Sequence, residues 1–288
     1  MLFKKIALSI CLLVAAFFGC FETHSQATFP TADFKVVVKD KLEAAGNAKL
    51  NKICPVDSDA TAKRIFSEYG AIFAAEKAVK LPFKCIFSDE AEMQDYQVRA
   101  NPQSAQIEGI LIILQKPALE ALLRAEQDAA QKNLRISPRG TLAAKRLFAQ
   151  TLTLWNSRFN PALAFWVGQK KISASEADKV RKSNVVEQVA QVLEWENKGW
   201  FFGKGTSKSI LLSVAAPGAS QHNFMLALDV EQFASREVRK ILADNGWFQT
   251  VKSDLPHFTY LGAKEEDLPS LGLKAVMVGE QKFWIPNI

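Results

Sequence analysis

Apolar and polar residues follow two different periods along this chain, helical in its earlier part and strand-like towards its end. The helical period is clearest from Asp59 to Val79, where Asp57 or Ser58 can cap the first turn. Further helices are predicted at Val38–Ala45, Pro117–Lys132, Leu142–Arg158 (closed by Asn160-Pro161), Ser173–Asn197 and Glu231–Asn245 (ended by Gly246).

Short apolar runs predict strands, most of them in the last third of the chain. These runs are Pro82–Phe87, Ile110–Leu114 (a strand or the start of a buried helix), Ile210–Ala215, Met225–Val230, His257–Leu261, Ala275–Val278 and Phe283–Pro286. Helices followed by strands predict an α+β fold, with a helical N-terminal region and a small antiparallel sheet flanked by helices.

The N-terminus has the pattern of a secretory signal. Lys4 and Lys5 precede an apolar run, Ile6–Cys20, that is short for a bilayer span and is followed by polar residues. Small residues at the positions that a signal peptidase inspects predict cleavage after Ala27 and export to the periplasm or cell envelope. An uncleaved anchor and a lipoprotein held at Cys20 are the alternatives. No later segment is long and apolar enough to predict a membrane span.

Charge and cysteine content narrow the range of partners. The net charge of +6 is spread along the chain without the basic tract that nucleic-acid binding requires, and it suits a cell wall bearing carboxylates or phosphates. Outside the signal segment only Cys54 and Cys85 remain, and an even pair in an oxidising compartment predicts a disulfide. Two unpaired buried thiols are the alternative.

The histidines carry the strongest chemical signal. Of three in the chain, His24 lies in the signal segment, which leaves His222 and His257. Each lies near a carboxylate, Asp229 and Asp254 respectively, and a catalytic zinc site needs three protein ligands and an open position for water. The sequence has neither a phosphate-binding loop nor a nucleophilic serine motif.

Two segments together resemble the zinc D-alanyl-D-alanine carboxypeptidase family, which includes the VanY-type peptidoglycan peptidases. The family pattern is Ser-x-His-x-x-Gly-x-Ala-x-Asp, followed some tens of residues later by Glu/Asp-x-x-His. The residues of this chain that match are Ser220, His222, Ala227 and Asp229 in the first part and Asp254 and His257 in the second. The resemblance covers about residues 134–262; Met225 stands at the usual Gly and Pro256 at a frequent Trp.

The resemblance implies a zinc hydrolase that acts on peptidoglycan stem peptides. His222, Asp229 and His257 would bind Zn²⁺, Asp254 would be the general base, and Ser220 would contact substrate. Because side chains alternate along a strand, ligands seven residues apart require a bend between His222 and the strand that carries Asp229.

Arg139 completes the predicted site. It stands in a turn after a short extended segment, at a place where members of the family carry an arginine that holds the substrate carboxylate, and a guanidinium can clamp a carboxylate with two hydrogen bonds. A surface role at a helix start is the alternative. Arg135 and Arg146 align with that turn less well.

The expected organisation is a signal segment (1–27), an N-terminal helical region with a Cys54–Cys85 disulfide (28–130), and a zinc peptidase domain whose sheet carries the metal (131–288). Removal of a terminal D-alanine is the expected reaction, and cleavage of an internal stem-peptide bond is close to it. The alternative is a catalytically impaired wall-binding module in which Met225 blocks the pocket.

Overall fold

The computed structural model describes residues 31–46 and 48–288. The predicted signal segment, with its cleavage site, Cys20 and His24, therefore lies outside the described residues. Within the described ranges, no helix combines the length and the apolar character that crossing a membrane requires.

The first two thirds of the described chain are mostly helical. Their bounds are α1 Phe34–Ala44, α2 Leu50–Ile53, α3 Ala60–Tyr69, α4 Glu90–Arg99, α5 Lys116–Gln131, α6 Phe148–Gly168, α7 Ala174–Lys182, α8 Val185–Asn197 and, later in the chain, α9 Arg236–Asp244. Short 3₁₀ helices cover Gly70–Ala74, Lys204–Thr206, Ile210–Leu212 and Glu265–Asp267.

The strands form small antiparallel sheets. Their bounds are β1 Pro102–Ile107, β2 Ile110–Gln115, β3 Ala227–Asp229, β4 Trp247–Phe248, β5 His257–Tyr260, β6 Leu273–Val278 and β7 Gln281–Pro286. β1 pairs with β2 and β6 with β7, while a three-stranded sheet has the order β3-β5-β4. The predicted α+β fold is confirmed.

Local sequence explains several element boundaries. Asp59 caps α3, since its Oδ1 accepts hydrogen bonds from the backbone N–H groups of Thr61 and Ala62 at 2.7 and 3.1 Å. Gly246 follows α9 with φ +78°, the left-handed conformation that commonly ends a helix.

Several predicted helices differ from those observed. The helix predicted from Asp59 to Val79 ends at Tyr69 and continues as the 3₁₀ helix Gly70–Ala74, and the one predicted from Glu231 begins at Arg236. The predicted helix 173–197 is two helices, because Asn184 leaves the helical conformation and caps α8 by accepting the N–H of Glu187 at 2.9 Å. α6 continues through Pro161 instead of ending there. Buried residues lie on both sides of the proline, including Phe159 and Leu163, and their burial offsets the roughly 3 kcal/mol cost of an internal proline.

The start of α6 is the correction that matters most for the site. The sequence predicts a helix from Leu142, but the chain forms turns and loop as far as Leu147, and α6 begins at Phe148. The Gln150 side chain accepts the Leu147 N–H at 2.8 Å and so marks the true helix start. The loop 141–147 leaves the backbone carbonyls of Ala143, Ala144 and Arg146 outside the helix, and they accept hydrogen bonds from Asp229, His222 and Asn223 instead.

Two predicted strands are wrong. Pro82–Phe87 forms bends, since its N–H groups bond to separate segments, Cys85 to Ile53 and Phe87 to Gly218, and no ladder can form. Ile210–Ala215 begins with a 3₁₀ turn, because the buried Glu196 carboxylate accepts the Ile210 N–H at 2.7 Å.

The hydrophobic core is continuous between the predicted N-terminal region and the rest of the chain. One buried cluster extends from Phe34 to Trp284. Contact is closest at Gly218, where an added Cβ would lie 2.2 Å from the Phe87 carbonyl oxygen and where φ is +75°. Only glycine fits this position, and the chain there leads directly into the segment that carries His222.

The structure confirms the predicted Cys54–Cys85 disulfide. The two Cα atoms are 5.1 Å apart, within the usual range for a bridged pair. The bond ties the end of α2 to the segment that bonds to Gly218, across a sequence separation of 31 residues.

Replacing both cysteines by alanine will lower the free energy of unfolding by about 3–4 kcal/mol. Without the bond the unfolded chain has more conformational entropy, and for a loop of this length that entropy corresponds to this free energy. Urea denaturation of the two proteins measures the difference. Thiol titration of the unfolded wild type, in a chain that begins at Thr28, should find no free thiol. Two titratable thiols, or a change below about 1 kcal/mol, would restore the alternative of unpaired cysteines.

Candidate metal centre

Three side chains that the sequence predicts as metal ligands converge in the structure. The potential ligand atoms of His222, Asp229 and His257 all lie within 4.8 Å of one another, and all three residues are buried. Asp229 Oδ1 is 3.2 Å from His222 Nε2 and 3.4 Å from His257 Nδ1, and the two nitrogens are 3.0 Å apart. This group could hold a metal ion.

The sheet and a preceding bend bring the ligands together. Asp229 on β3 lies directly opposite His257 on β5, so their side chains share one face of the sheet. His222 lies in consecutive turns before β3. Met225 reverses the chain between them with φ +56°, which meets the requirement for a bend between His222 and the strand.

Hydrogen bonds fix which nitrogen of each imidazole faces the centre. His222 Nδ1 lies 2.8 Å from the carbonyl oxygen of Ala144, and His257 Nε2 lies 2.8 Å from Gln221 Oε1. Carbonyl and amide oxygens accept only, so each of these nitrogens carries the proton. The unprotonated nitrogens, His222 Nε2 and His257 Nδ1, therefore point at each other.

This arrangement requires a positive charge between the three side chains. Two nitrogen lone pairs at 3.0 Å repel each other unless a proton or a metal ion lies between them. Asp229 Oδ1 is buried and has no hydrogen-bond partner among the described residues, although buried polar atoms are almost always paired. The residues present thus fit a metal ion through two neutral imidazoles and one carboxylate.

The protonation states of the ligands agree with metal binding. Burial lowers the pKa of His222 below its ordinary value and outweighs the attraction of Asp229, which favours the neutral imidazole that binds metals. Burial alone would raise the pKa of Asp229, but positive charge among the imidazoles of His222 and His257, which a proton or a metal ion supplies, outweighs it and holds that pKa well below its usual range. The carboxylate is ionised.

Arg146 holds the other oxygen of the Asp229 carboxylate. Its Nη2 lies 2.5 Å from Asp229 Oδ2, and its Nε donates to the Leu142 carbonyl at 2.9 Å. The Arg146 backbone N–H also bonds to the His222 carbonyl oxygen at 3.2 Å. The loop 141–147 therefore contacts two of the three candidate ligands.

A cavity of about 90 Å³ opens onto His222 and His257. Its polar lining includes Asp254, Ser220 and Arg146. Asp254 is exposed, and its carbonyl oxygen accepts the His257 N–H at 3.2 Å. The structure thus brings the predicted base and the predicted substrate-contacting serine to the same cavity as the candidate ligands.

Arg139 is placed elsewhere. Its backbone N–H bonds to the Asp229 carbonyl, but its side chain lies 3.8 Å from Glu231 and over the ring of Phe233, and it is not among the described residues that line the cavity. The turn at Gly140, with φ +85°, follows directly. The arginine that the structure places at the cavity is Arg146.

The two departures from the family pattern also lie away from the cavity lining. Met225 is fully buried, and Pro256 is partly buried and accepts the Val230 N–H through its carbonyl. Neither lines the cavity in the part of the chain that the structure describes. The two departures therefore leave the described cavity wall unaltered.

Sequence reasoning missed three contributors to the site, Tyr69, Gln221 and the Ala144 carbonyl. Gln221 stands at a variable position of the motif, directly before His222, and a polar residue that is buried next to a ligand is the signal that could have identified it. Tyr69 and Ala144 reach the site only through tertiary contacts, for which a single sequence gives no local signal.

A divalent metal ion at this centre will stabilise the fold. At a free ion concentration 100 times the Kd, binding adds about 2.7 kcal/mol to the free energy of unfolding, which corresponds to about 5–10 °C in Tm. Thermal denaturation in chelator and in excess Zn²⁺ measures the difference. A His257→Ala protein should melt at one temperature in both buffers. Equal melting temperatures for the wild type would contradict metal binding.

Comparisons of this chain with models of protein families, with curated proteins and with solved structures found no match.

Proposed function

We propose that this protein is an exported zinc metallopeptidase that hydrolyses peptidoglycan stem peptides, with removal of a terminal D-alanine as its main reaction. The observation that carries the proposal is the buried His222–Asp229–His257 group, whose inward-facing acceptor atoms require a cation. The motif resemblance supports the substrate class, and the predicted signal segment supports the compartment.

The donor set favours zinc among divalent metals. Two imidazole nitrogens and one carboxylate are typical of catalytic zinc sites, whereas magnesium and calcium prefer oxygen ligands. When bound, Zn²⁺ lowers the pKa of a coordinated water towards neutrality and polarises a carbonyl group. His222 and His257 line the cavity, so the centre would be accessible to a substrate there.

Asp254 would act as the proton-transfer residue. Its carboxylate is exposed and lines the cavity, without a hydrogen-bond partner among the described residues that would hold it in another role. It would accept a proton from the attacking water and pass it to the leaving amine. The bond between the Asp254 carbonyl and the His257 N–H fixes the backbone of base and ligand relative to each other.

Arg146 would receive the substrate carboxylate in place of Arg139. Its guanidinium lines the cavity and is largely buried, with 17 % of the side chain exposed, and such a group binds carboxylates more strongly than an exposed one. A guanidinium that binds a free terminal carboxylate favours a carboxypeptidase over an endopeptidase.

The wall-binding alternative has no observation in its favour. It depends on Met225 blocking the pocket, and Met225 does not line the cavity within the described ranges. Such a module would bind the cell wall and would not hydrolyse muropeptides, which distinguishes it from the peptidase.

Asp254→Ala will lower kcat by about 10²–10⁴-fold and leave the zinc content unchanged, because a general base is lost and no ligand is removed. The measurements are release of D-alanine from purified muropeptides and metal analysis of the same samples. Glu266→Ala removes an exposed carboxylate that is not among the described residues lining the cavity; it is the control and should retain full activity. A wild type that binds one zinc ion and releases neither amino acid nor peptide would refute the peptidase and favour the wall-binding module.

Arg146→Lys will raise KM for substrates with a free terminal carboxylate by about 10–150-fold, because one charge-assisted hydrogen bond contributes about 1.5–3 kcal/mol. Arg139→Lys is the matched control and should leave KM within about twofold. Steady-state kinetics on a terminal D-alanyl-D-alanine peptide and on its amidated form provide the test. The reverse pattern, with KM raised only by Arg139→Lys, would return the carboxylate-binding role to Arg139.

A further inference from the structure

Gln221 is a buried glutamine beside a candidate metal ligand, and every polar atom of its side chain has a partner. It is 1 % exposed and immediately precedes His222 in the chain. Its Oε1 accepts from His257 Nε2 at 2.8 Å and also from the Thr259 hydroxyl, and its Nε2 donates to the Tyr69 carbonyl at 2.9 Å.

The Tyr69 carbonyl determines which way the amide faces. A carbonyl oxygen only accepts, so the NH₂ group of Gln221 must point at Tyr69 and its oxygen must point at His257. Tyr69 is the last residue of α3 and directly precedes the 3₁₀ helix Gly70–Ala74, and its carbonyl oxygen has two lone pairs, so it can accept from Gln221 beside the 3₁₀ turn. The end of α3 therefore supplies a fixed acceptor that orients Gln221.

The orientation of Gln221 in turn determines the tautomer of His257. Because Oε1 can only accept, His257 must carry its proton on Nε2 and present the lone pair of Nδ1 to Asp229 and His222. An amide facing the other way would offer N–H groups to His257 Nε2 and favour the opposite tautomer, with a proton where the metal should bind.

We propose that Gln221 is a positioning residue that transmits the orientation set by the Tyr69 carbonyl to His257 and thereby holds Nδ1 ready for the metal. The inference rests on the metal-binding part of the proposed function. It also gives the N-terminal region a role, since Tyr69 belongs to the part of the chain that the motif resemblance does not cover. Hydrogen-bond partners of ligating histidines commonly change metal affinity by 10–100-fold.

The test compares Gln221→Met with Gln221→Glu in the full chain. Methionine has a similar length and only a weak acceptor for the His257 N–H, so Zn²⁺ affinity, measured by competition with a chelator, should fall about 10–100-fold. Glutamate keeps an acceptor for His257 and should recover most of that affinity, although it loses the Tyr69 bond. Gln188→Met is the matched control: Gln188 is also buried, and its amide contacts Trp155 and Val180. It should lose stability with unchanged affinity.

A second measurement separates positioning from general stability. Histidine side-chain NMR of the zinc-loaded protein identifies the protonated nitrogen of each ring, and residues 31–288 contain only two histidines. The wild type should show His257 protonated on Nε2, and Gln221→Glu should shift that N–H proton downfield through a stronger hydrogen bond. This readout remains available if Gln221→Met does not fold.

The outcomes distinguish the two proposals. If the wild type binds no Zn²⁺, the proposed function fails first. If the wild type binds Zn²⁺ and Gln221→Met binds it equally well, the positioning role is refuted while the metal centre stands. An unshifted His257 N–H in Gln221→Glu, or an equal loss of affinity in Gln188→Met, would likewise refute the positioning role.

Discussion

The structure around the candidate centre holds together three acceptor atoms that repel one another. Two imidazole lone pairs and one ionised carboxylate oxygen face one point inside the protein, at separations of 3.0–3.4 Å. The atoms of these side chains that face away from that point all have partners. The second nitrogen of each imidazole donates to a carbonyl or amide oxygen, and the second carboxylate oxygen of Asp229 contacts Arg146. Such an arrangement is unfavourable by itself and becomes favourable when a cation neutralises it.

The segment that carries His222 is hydrogen-bonded to the N-terminal region as well as to the predicted peptidase domain, so the N-terminal region belongs to the site. Its groups donate hydrogen bonds to the backbone carbonyls of four residues of that segment. The bonds are Phe87 N–H to Gly218 O, Gln97 Nε2 to Asn223 O, Gln115 Nε2 to Phe224 O and Gln115 N–H to Met225 O. The segment's own hydrogen bonds join only near neighbours within its turns, and these contacts attach it to the rest of the fold, which supplies the rigidity that a preorganised centre needs. The disulfide keeps Phe87 and its neighbours in place for this role.

The sequence predicted the candidate ligands better than their surroundings, for a physical reason. His222, Asp229, Asp254 and His257 lie within two short segments with fixed spacing, and a strand and a bend are local features. The contribution of Arg146 depends on a loop where apolar periodicity predicts a helix. That loop stays non-helical because the carbonyls of Ala143, Ala144 and Arg146 accept hydrogen bonds from Asp229, His222 and Asn223, and a single sequence does not reveal tertiary contacts of this kind.

Tertiary contacts also explain why methionine can stand where the family pattern has glycine. The position requires a left-handed backbone, and Met225 adopts it with φ +56° at a cost of roughly 1–2 kcal/mol. Its side chain is fully buried, which contributes about 1.5–3 kcal/mol and offsets that cost. The chain reversal that brings His222 to the strand of Asp229 is thus preserved by burial in place of glycine's conformational freedom. Since the methionine points into the core and does not line the cavity, the substitution alters how the bend is stabilised and leaves the ligands and their access unchanged.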